Sequence, residues 1–374
     1  MPFPLQPVSF WRPTQATQEV RDIIVAGPSL APSHAPPPAA ANSFVSYDVG
    51  QLCEEKPPNR VVLFLHIYKT GGTTNRELFQ HWSDECGLNY AQCGSCLNGT
   101  WMEKLPDNNT DYICLHGAGV HRFPTPRNSQ KDVLGSSIDV IAGHMAFGFH
   151  RYLNNKKYTY ITCLRNPMSR FVSAILYEHR TMTTGMTRQE VVEFVTTKIT
   201  SPYANHSAPY RGIYPAKLSG KMKESARHSS DSASHPGAQT HESEREAVAL
   251  SFAHLHNSFA VVGLLESYSV FIELVAGLLD PHRRHLEMWE KAKVVQSNKH
   301  EGFDQSDVLP LLSKHVVAQL NDTVALDWEV YIEACRVSYT QCRRAVEDGH
   351  DHPIKNQHCE DLQAVCDQPA GWYV

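Results

Sequence analysis

A chain of 374 residues is long enough for one large α/β domain with appendages, or for two small domains. With 41% hydrophobic and 20% charged residues it has the balance of an ordinary globular protein. The net charge of −5 excludes a molecule that binds nucleic acid through its overall field, so an acidic polymer could be held only by a local basic patch. The 21 histidines would add positive charge in a mildly acidic compartment. Ten cysteines and glycosylation sequons at Asn98, Asn108, Asn205 and Asn321 point toward an oxidising, secretory lumen. No signal peptide and no apolar run of about 18 residues is visible, so a membrane anchor is expected to be missing from this sequence or undetected in it.

Residues 1–57 are rich in Pro, Ala and Ser and lack sustained periodicity, and they read as a disordered stem or leader. The apolar, β-branched run Val61–Ile67, followed by Gly71-Gly72, predicts a buried parallel strand ending in a tight loop. Thr73 or Thr74 can cap a helix over 75–82. The stretch holding Cys86, Cys93, Cys96 and Cys114 reads as mostly loop. Further strands are predicted over 138–144, 158–165 and 259–265, and helices over 169–180, 186–199 and 268–279. Residues 216–240 are polar and read as a flexible insertion. Strands alternating with helices imply a parallel sheet covered on both faces, with ligands bound where loops leave the carboxyl ends of the strands.

Tyr68-Lys69-Thr70-Gly71-Gly72-Thr73-Thr74 lies between the first strand and the first helix. Glycines let consecutive N–H groups converge, the helix N-terminus adds positive potential, Lys69 brings a mobile charge and the threonines bring hydroxyls. This is a phosphate cradle, yet it is not the G-x-x-x-x-G-K-[ST] loop, because the lysine precedes the glycines.

The segment His66–Thr74 closely resembles the 5′-phosphosulfate loop of the Golgi heparan sulfate 2-O- and 6-O-sulfotransferases. Leu164-Arg165-Asn166-Pro167-Met168-Ser169-Arg170-Phe171-Val172-Ser173 resembles the 3′-phosphate motif of the same family. Weaker similarity continues through Val262–Glu266 and Leu320–Tyr331, so the resemblance spans roughly residues 60–334. Two departures stand out. Tyr68 replaces the usual Pro or Gln, and Asn166 replaces an Asp that could orient Arg165.

The resemblance implies an α/β, P-loop-NTPase-like three-layer fold with a central parallel sheet, and the donor PAPS (3′-phosphoadenosine 5′-phosphosulfate) as co-substrate. It implies Lys69, Thr70, Gly71, Gly72, Thr73 and Thr74 around the 5′-phosphosulfate, with Arg165 and Ser173 on the 3′-phosphate. The acceptor is then a hydroxyl of a polysaccharide or glycan, the compartment the Golgi lumen, and neither metal nor nucleic acid is required. A tyrosine or small-alcohol acceptor, a nucleotide-dependent kinase and a non-catalytic binding relative are the alternatives. A kinase would need Mg²⁺ carboxylates and a lysine after the glycines, and neither is evident.

Sulfuryl transfer needs a base for the acceptor hydroxyl. His144, in Ala142-Gly143-His144-Met145 at a strand's carboxyl end, resembles the catalytic histidine of the 2-O-type enzymes. His116 is the rival, as 6-O-type enzymes place their base in an earlier loop, and His66 reads as a packing residue. Lys69 is expected to stabilise the bridging oxygen as the S–O bond breaks. Among Arg122, Arg127, Arg151, Lys156, Lys157, Arg180 and Arg211, the foremost candidate for acceptor binding is Arg180.

Cys335, Cys342, Cys359 and Cys366 form two pairs with one spacing, since 342 − 335 and 366 − 359 both equal seven. That spacing keeps each pair on one helix face, so residues 335–374 read as a Cys-paired helical hairpin, an extension beyond a domain at 58–334. The nested pairing is Cys335 with Cys366 and Cys342 with Cys359. A four-thiolate zinc site is the competing reading. Cys93 and Cys96 have the closer spacing of metal ligands, with Cys86 and Cys114 as possible partners, and are read as disulfides of unknown connectivity. Cys163 reads as a buried thiol.

Overall fold

The computed structural model describes residues 52–55, 60–93, 115–116, 138–153, 157–201, 212–220, 241–294, 303–347 and 354–367. The first half comprises α1 (Leu52–Glu55), β1 (Arg60–His66), α2 (Gly72–Glu85), β2 (Tyr90–Cys93), β3 (Leu115–His116), β4 (Val140–Gly143), β5 (Lys157–Leu164), α3 (Pro167–Glu178), α4 (Arg180–Thr183) and α5 (Arg188–Thr200). The second half comprises α6 (Ile213–Leu218), α7 (His241–Asn257), β6 (Phe259–Leu264), α8 (Tyr268–Leu279), α9 (Leu286–Val294), α10 (Gln305–Val308), α11 (Lys314–Thr323), α12 (Ala325–Glu347) and α13 (Asn356–Asp367).

The strands lie in the order β3-β2-β4-β1-β5-β6. β2, β4, β1, β5 and β6 run parallel, and β3 pairs antiparallel with β2. Val61 to His66, Val140 to Gly143 and Thr159 to Leu164 are buried without interruption. Successive strand residues point to opposite faces, so unbroken burial means that both faces are covered. The fold is therefore α/β, with helices on either side of a parallel sheet. From β1 the chain moves outward to β2 and back to β4, then crosses to β5 and β6 on the other flank. The direction of winding reverses at β1, and a crevice opens at the carboxyl ends beside such a strand.

The predicted strands are present, with ends displaced by one or two residues. The Cys-rich stretch is not all loop, because Tyr90–Cys93 pairs with β4 in register. The expected stem of residues 1–57 overlaps packed chain: Leu52 is buried and Cys53 is disulfide-bonded to Cys86. The expected insertion starts inside α6, whose Leu218 is buried, and residues 221–240 lie outside the described residues.

The expected boundary at residues 334/335 falls within α12, a single 23-residue helix. Gln341 explains why the helix belongs to the domain. Its Oε1 accepts the Val262 N–H at 2.9 Å and its Nε2 donates to the Phe259 carbonyl at 3.3 Å, satisfying backbone groups of edge strand β6. At the hairpin, Cys342–Cys359 is bridged as the nested pairing requires. Cys335 and Cys366 remain thiols, hydrogen-bonded to each other. Cys86 pairs with Cys53, a partner that sequence reasoning overlooked, and His285 Nε2 lies 3.7 and 3.8 Å from the two sulfurs. The sequon at Asn321 lies in α11 with its Oδ1 buried, a poor site for a glycan. Among the described residues no helix is long and apolar enough to cross a membrane.

Candidate functional site

Sheet register brings the sequence motifs to one level. Leu65 of β1 pairs with Gly143 of β4 and Thr162 of β5, and His66 pairs with Cys163. The loops carrying Lys69, His144 and Arg165 therefore leave adjacent strands at the same edge. β6 ends level with β5 through Leu164 and Leu264, which adds Glu266 to that edge.

The loop after β1 is bent by its own residues. Lys69 adopts φ 66° and Gly71 φ 76°, both left-handed. For a lysine this conformation costs about 1 kcal/mol and persists only where surroundings impose it, commonly at functional loops. Thr70 is fully buried, its N–H and hydroxyl both bonded to the Ile67 carbonyl at 3.3 and 2.8 Å. Its hydroxyl hydrogen is thus committed to bracing the turn, not held out to a phosphate as the sequence led us to expect. Gly71 is the N-cap of α2, without a side-chain cap bond. A Cβ on Gly72 would lie 1.6 Å from the His66 ring, so this glycine is fixed by the imidazole stacked over it.

The loop after β5 is held from outside. The Tyr214 hydroxyl accepts the Arg165 N–H at 3.1 Å and donates to the Arg165 carbonyl. Glu266 accepts the Asn166 N–H at 2.7 Å through Oε1 and the Tyr331 hydroxyl at 3.0 Å through Oε2, while burial pushes its carboxyl pKa up. Tyr214 is anchored in turn by its N–H on Asp327, which pairs with buried Arg170 at 3.2 Å. Asn166 caps α3, accepting from the N–H groups of Met168 and Ser169. Asn caps as well as Asp would, and Tyr214 and Glu266 hold the backbone of the loop. Arg165 Nη1 donates to the Lys69 carbonyl at 3.3 Å, joining two motifs 96 residues apart. Ser173 lies half-buried in α3, roughly 10 Å along the axis from its start.

His144 Nδ1 lies 3.2 Å from the His66 carbonyl oxygen. A carbonyl only accepts, so Nδ1 carries the proton and Nε2 the lone pair. Burial, then Lys217 and Arg76, push the His144 pKa down to about 3. Its imidazole is therefore held neutral below the ordinary histidine value of about 6.5. His116 occupies the sheet edge in β3, three strands from β1 and thus about 14 Å away across the sheet.

Sequence reasoning also missed an aromatic corner. The Tyr177 ring has Lys69 Nζ 4.0 Å and the Arg180 guanidinium 4.7 Å from its centroid, and Tyr68 meets it edge-on at 6.0 Å. Burial, then Arg165 and Arg180, bring the Lys69 pKa down to about 8, and burial lifts Glu178 to about 7. Arg180 is thus near the cradle as expected. Lys157 is not: it begins β5, about 23 Å from the strand's carboxyl end. Arg122, Arg127, Lys156 and Arg211 lie outside the described residues.

Around the crevice, Lys69, Arg76, Arg165, Arg180 and Lys217 concentrate positive charge on a chain of net charge −5. A glycine turn at a helix start, a fork-shaped cation just past the neighbouring strand and a neutral imidazole can together hold an anionic group and accept a proton. No protein-family model matches the chain, and a search of curated proteins finds no match.

Proposed function

We propose that this protein is a PAPS-dependent sulfotransferase that modifies a hydroxyl of a polysaccharide or glycan, on a P-loop-like core. The observation that carries the proposal is the contact of Arg165 with the Lys69 carbonyl. It unites the two motifs whose resemblance to donor-binding segments is otherwise only a matter of sequence. The residues fit the donor: the left-handed turn at Lys69 and Gly71 opens onto the start of α2, and two cations flank it.

In this reading the main chain at residues 70–74 and Lys69 hold the 5′-phosphosulfate, and Arg165 with Ser173 takes the 3′-phosphate. PAPS, when bound, supplies the sulfuryl group. His144 accepts the acceptor's hydroxyl proton at Nε2, the nitrogen left unprotonated by the bond to His66. The imidazolium so formed passes its proton to solvent. Lys69 offsets the negative charge left on the donor's phosphate, and with a pKa of about 8 it is mostly cationic at neutral pH. Arg180 and Tyr177 face the acceptor. The disulfides Cys53–Cys86 and Cys342–Cys359 support an oxidising lumen such as the Golgi's.

The test is incubation with ³⁵S-labelled PAPS and a panel of polysaccharides, their desulfated forms, tyrosine peptides and small alcohols. Label on a polysaccharide alone is the expected result. Label on peptides alone would move the acceptor class, and no label with tight PAP binding would favour a non-catalytic relative.

A further inference from the structure

His66 enters the chemistry above only through its carbonyl, yet its ring is held at a cost. Its side chain is 5% exposed and its Nδ1 has no hydrogen-bond partner among the described residues. A buried polar nitrogen left unpaired costs about 1–3 kcal/mol, which an aliphatic side chain in the same strand would not incur. Its ring fills the space in which Gly72 would carry a Cβ, and it stacks on His144 with centroids 4.0 Å apart and planes inclined by 30°. Tyr68 stands at the His144 ring too, 6.0 Å away at 50°. The charged groups acting on the two rings come from three directions: Arg76 on α2, Lys217 on α6 and, for His66, Lys69 on the cradle. All are cations.

We propose that His66 is a positioning residue: its ring covers one face of His144 and its carbonyl holds the Nδ1–H, so that His144 stays neutral and unprotonated at Nε2. The carbonyl fixes the tautomer and the ring covers that face, two effects that separate experimentally. His66 itself stays neutral, since burial first, then the coupling of its ring to that of His144 and the cations Arg76, Lys217 and Lys69, lower its pKa well below the ordinary value. The pair thus resists protonation in mildly acidic surroundings. The role of His144 as base rests on the reading under Proposed function, whereas the protonation state of His144 does not.

The experiment is an NMR titration of the histidine ring nitrogens in the whole protein without donor or acceptor, with His144 identified by the signal lost in His144→Gln. In the wild type, His144 should keep the Nδ1–H tautomer and remain neutral down to pH 5. In His66→Ala the tautomer should persist, while the midpoint rises to about 5.5, nearer the free-histidine value. His66→Phe, which keeps a ring of similar size and guards against a misfolded alanine variant, should leave the midpoint low. In turnover, His66→Ala should lose about fourfold more kcat than wild type between pH 8 and pH 5. A wild-type His144 that titrates near 6.5, or a midpoint unmoved by His66→Ala, would overturn the proposal. A fully active His144→Ala overturns the base reading instead, and the ligand-free titration tells the two failures apart.

Discussion

The loops that leave β1 and β5 meet at Arg165 and the Lys69 carbonyl, but they are made in opposite ways. The β1 loop stores its shape locally, in left-handed Lys69 and Gly71, in the inward bonds of Thr70 and in the absence of a Cβ at Gly72. The β5 loop borrows its shape from residues far along the chain: Tyr214, Glu266 and, one step removed, Asp327 and Tyr331. A loop of the first kind should fail sharply at one position, and a loop of the second kind should weaken by degrees.

Gly72→Ala should break the comparison most severely. Its Cβ would overlap the His66 ring at 1.6 Å, so the stacked histidines and the start of α2 must shift. Overpacking of this sort costs about 1–3 kcal/mol, and displacement of the cradle should reduce PAP affinity by about 100-fold or more. Calorimetry of unfolding and of PAP binding would measure both. Tyr214→Phe keeps the ring and removes both bonds to the Arg165 backbone, leaving buried groups unpaired. The expected outcome is PAP binding weakened about tenfold, with stability lower by about 1–2 kcal/mol.

Acid should test the crevice as a whole. The His144 pKa lies near 3 in the folded chain, below its unfolded value of about 6.5. Between these values the unfolded chain binds the extra proton, so this residue's contribution to stability declines as pH falls from 6.5 toward 3. Denaturant titrations of His144→Gln should show a shallower decline over that window than the wild type. The smallest effect belongs to Asn166→Asp, which preserves the α3 cap and should alter stability by less than about 0.5 kcal/mol, while Asn166→Ala should cost about 1 kcal/mol.

The same contrast explains what was legible beforehand. The turn could be read from residues 66–74 because its requirements are local, β1, β4 and β6 from largely apolar runs, and β5 from its β-branched and aromatic residues. β2 could not: Tyr-Ala-Gln-Cys is only four residues long, lies beside cysteines and takes its strand character from pairing with β4. Tyr214 and Tyr177 lie in no motif and Glu266 only ends the weakly similar segment Val262–Glu266, so the fold alone brings them to Arg165, Lys69 and Asn166. His66 reads as packing because a strand interior is where packing residues sit, and its stacking on His144 depends on β4 lying beside β1. The hairpin spacing gave the Cys342–Cys359 bridge, but nothing local indicates that α12 is also pinned to β6 by Gln341.

The central claim is that these two unlike loops form one site for a nucleotide with phosphates at both ends of its ribose. Its most direct test is isothermal titration of PAP and of adenosine 5′-phosphate into wild-type, Lys69→Ala and Arg165→Ala proteins. The wild type should bind PAP at least about 100-fold more tightly than adenosine 5′-phosphate, a difference of about 2.7 kcal/mol. Lys69→Ala should weaken both ligands, while Arg165→Ala should weaken PAP alone and bring the two affinities together. Equal wild-type affinity for the two nucleotides, or an Arg165→Ala protein that still prefers PAP 100-fold, would contradict it.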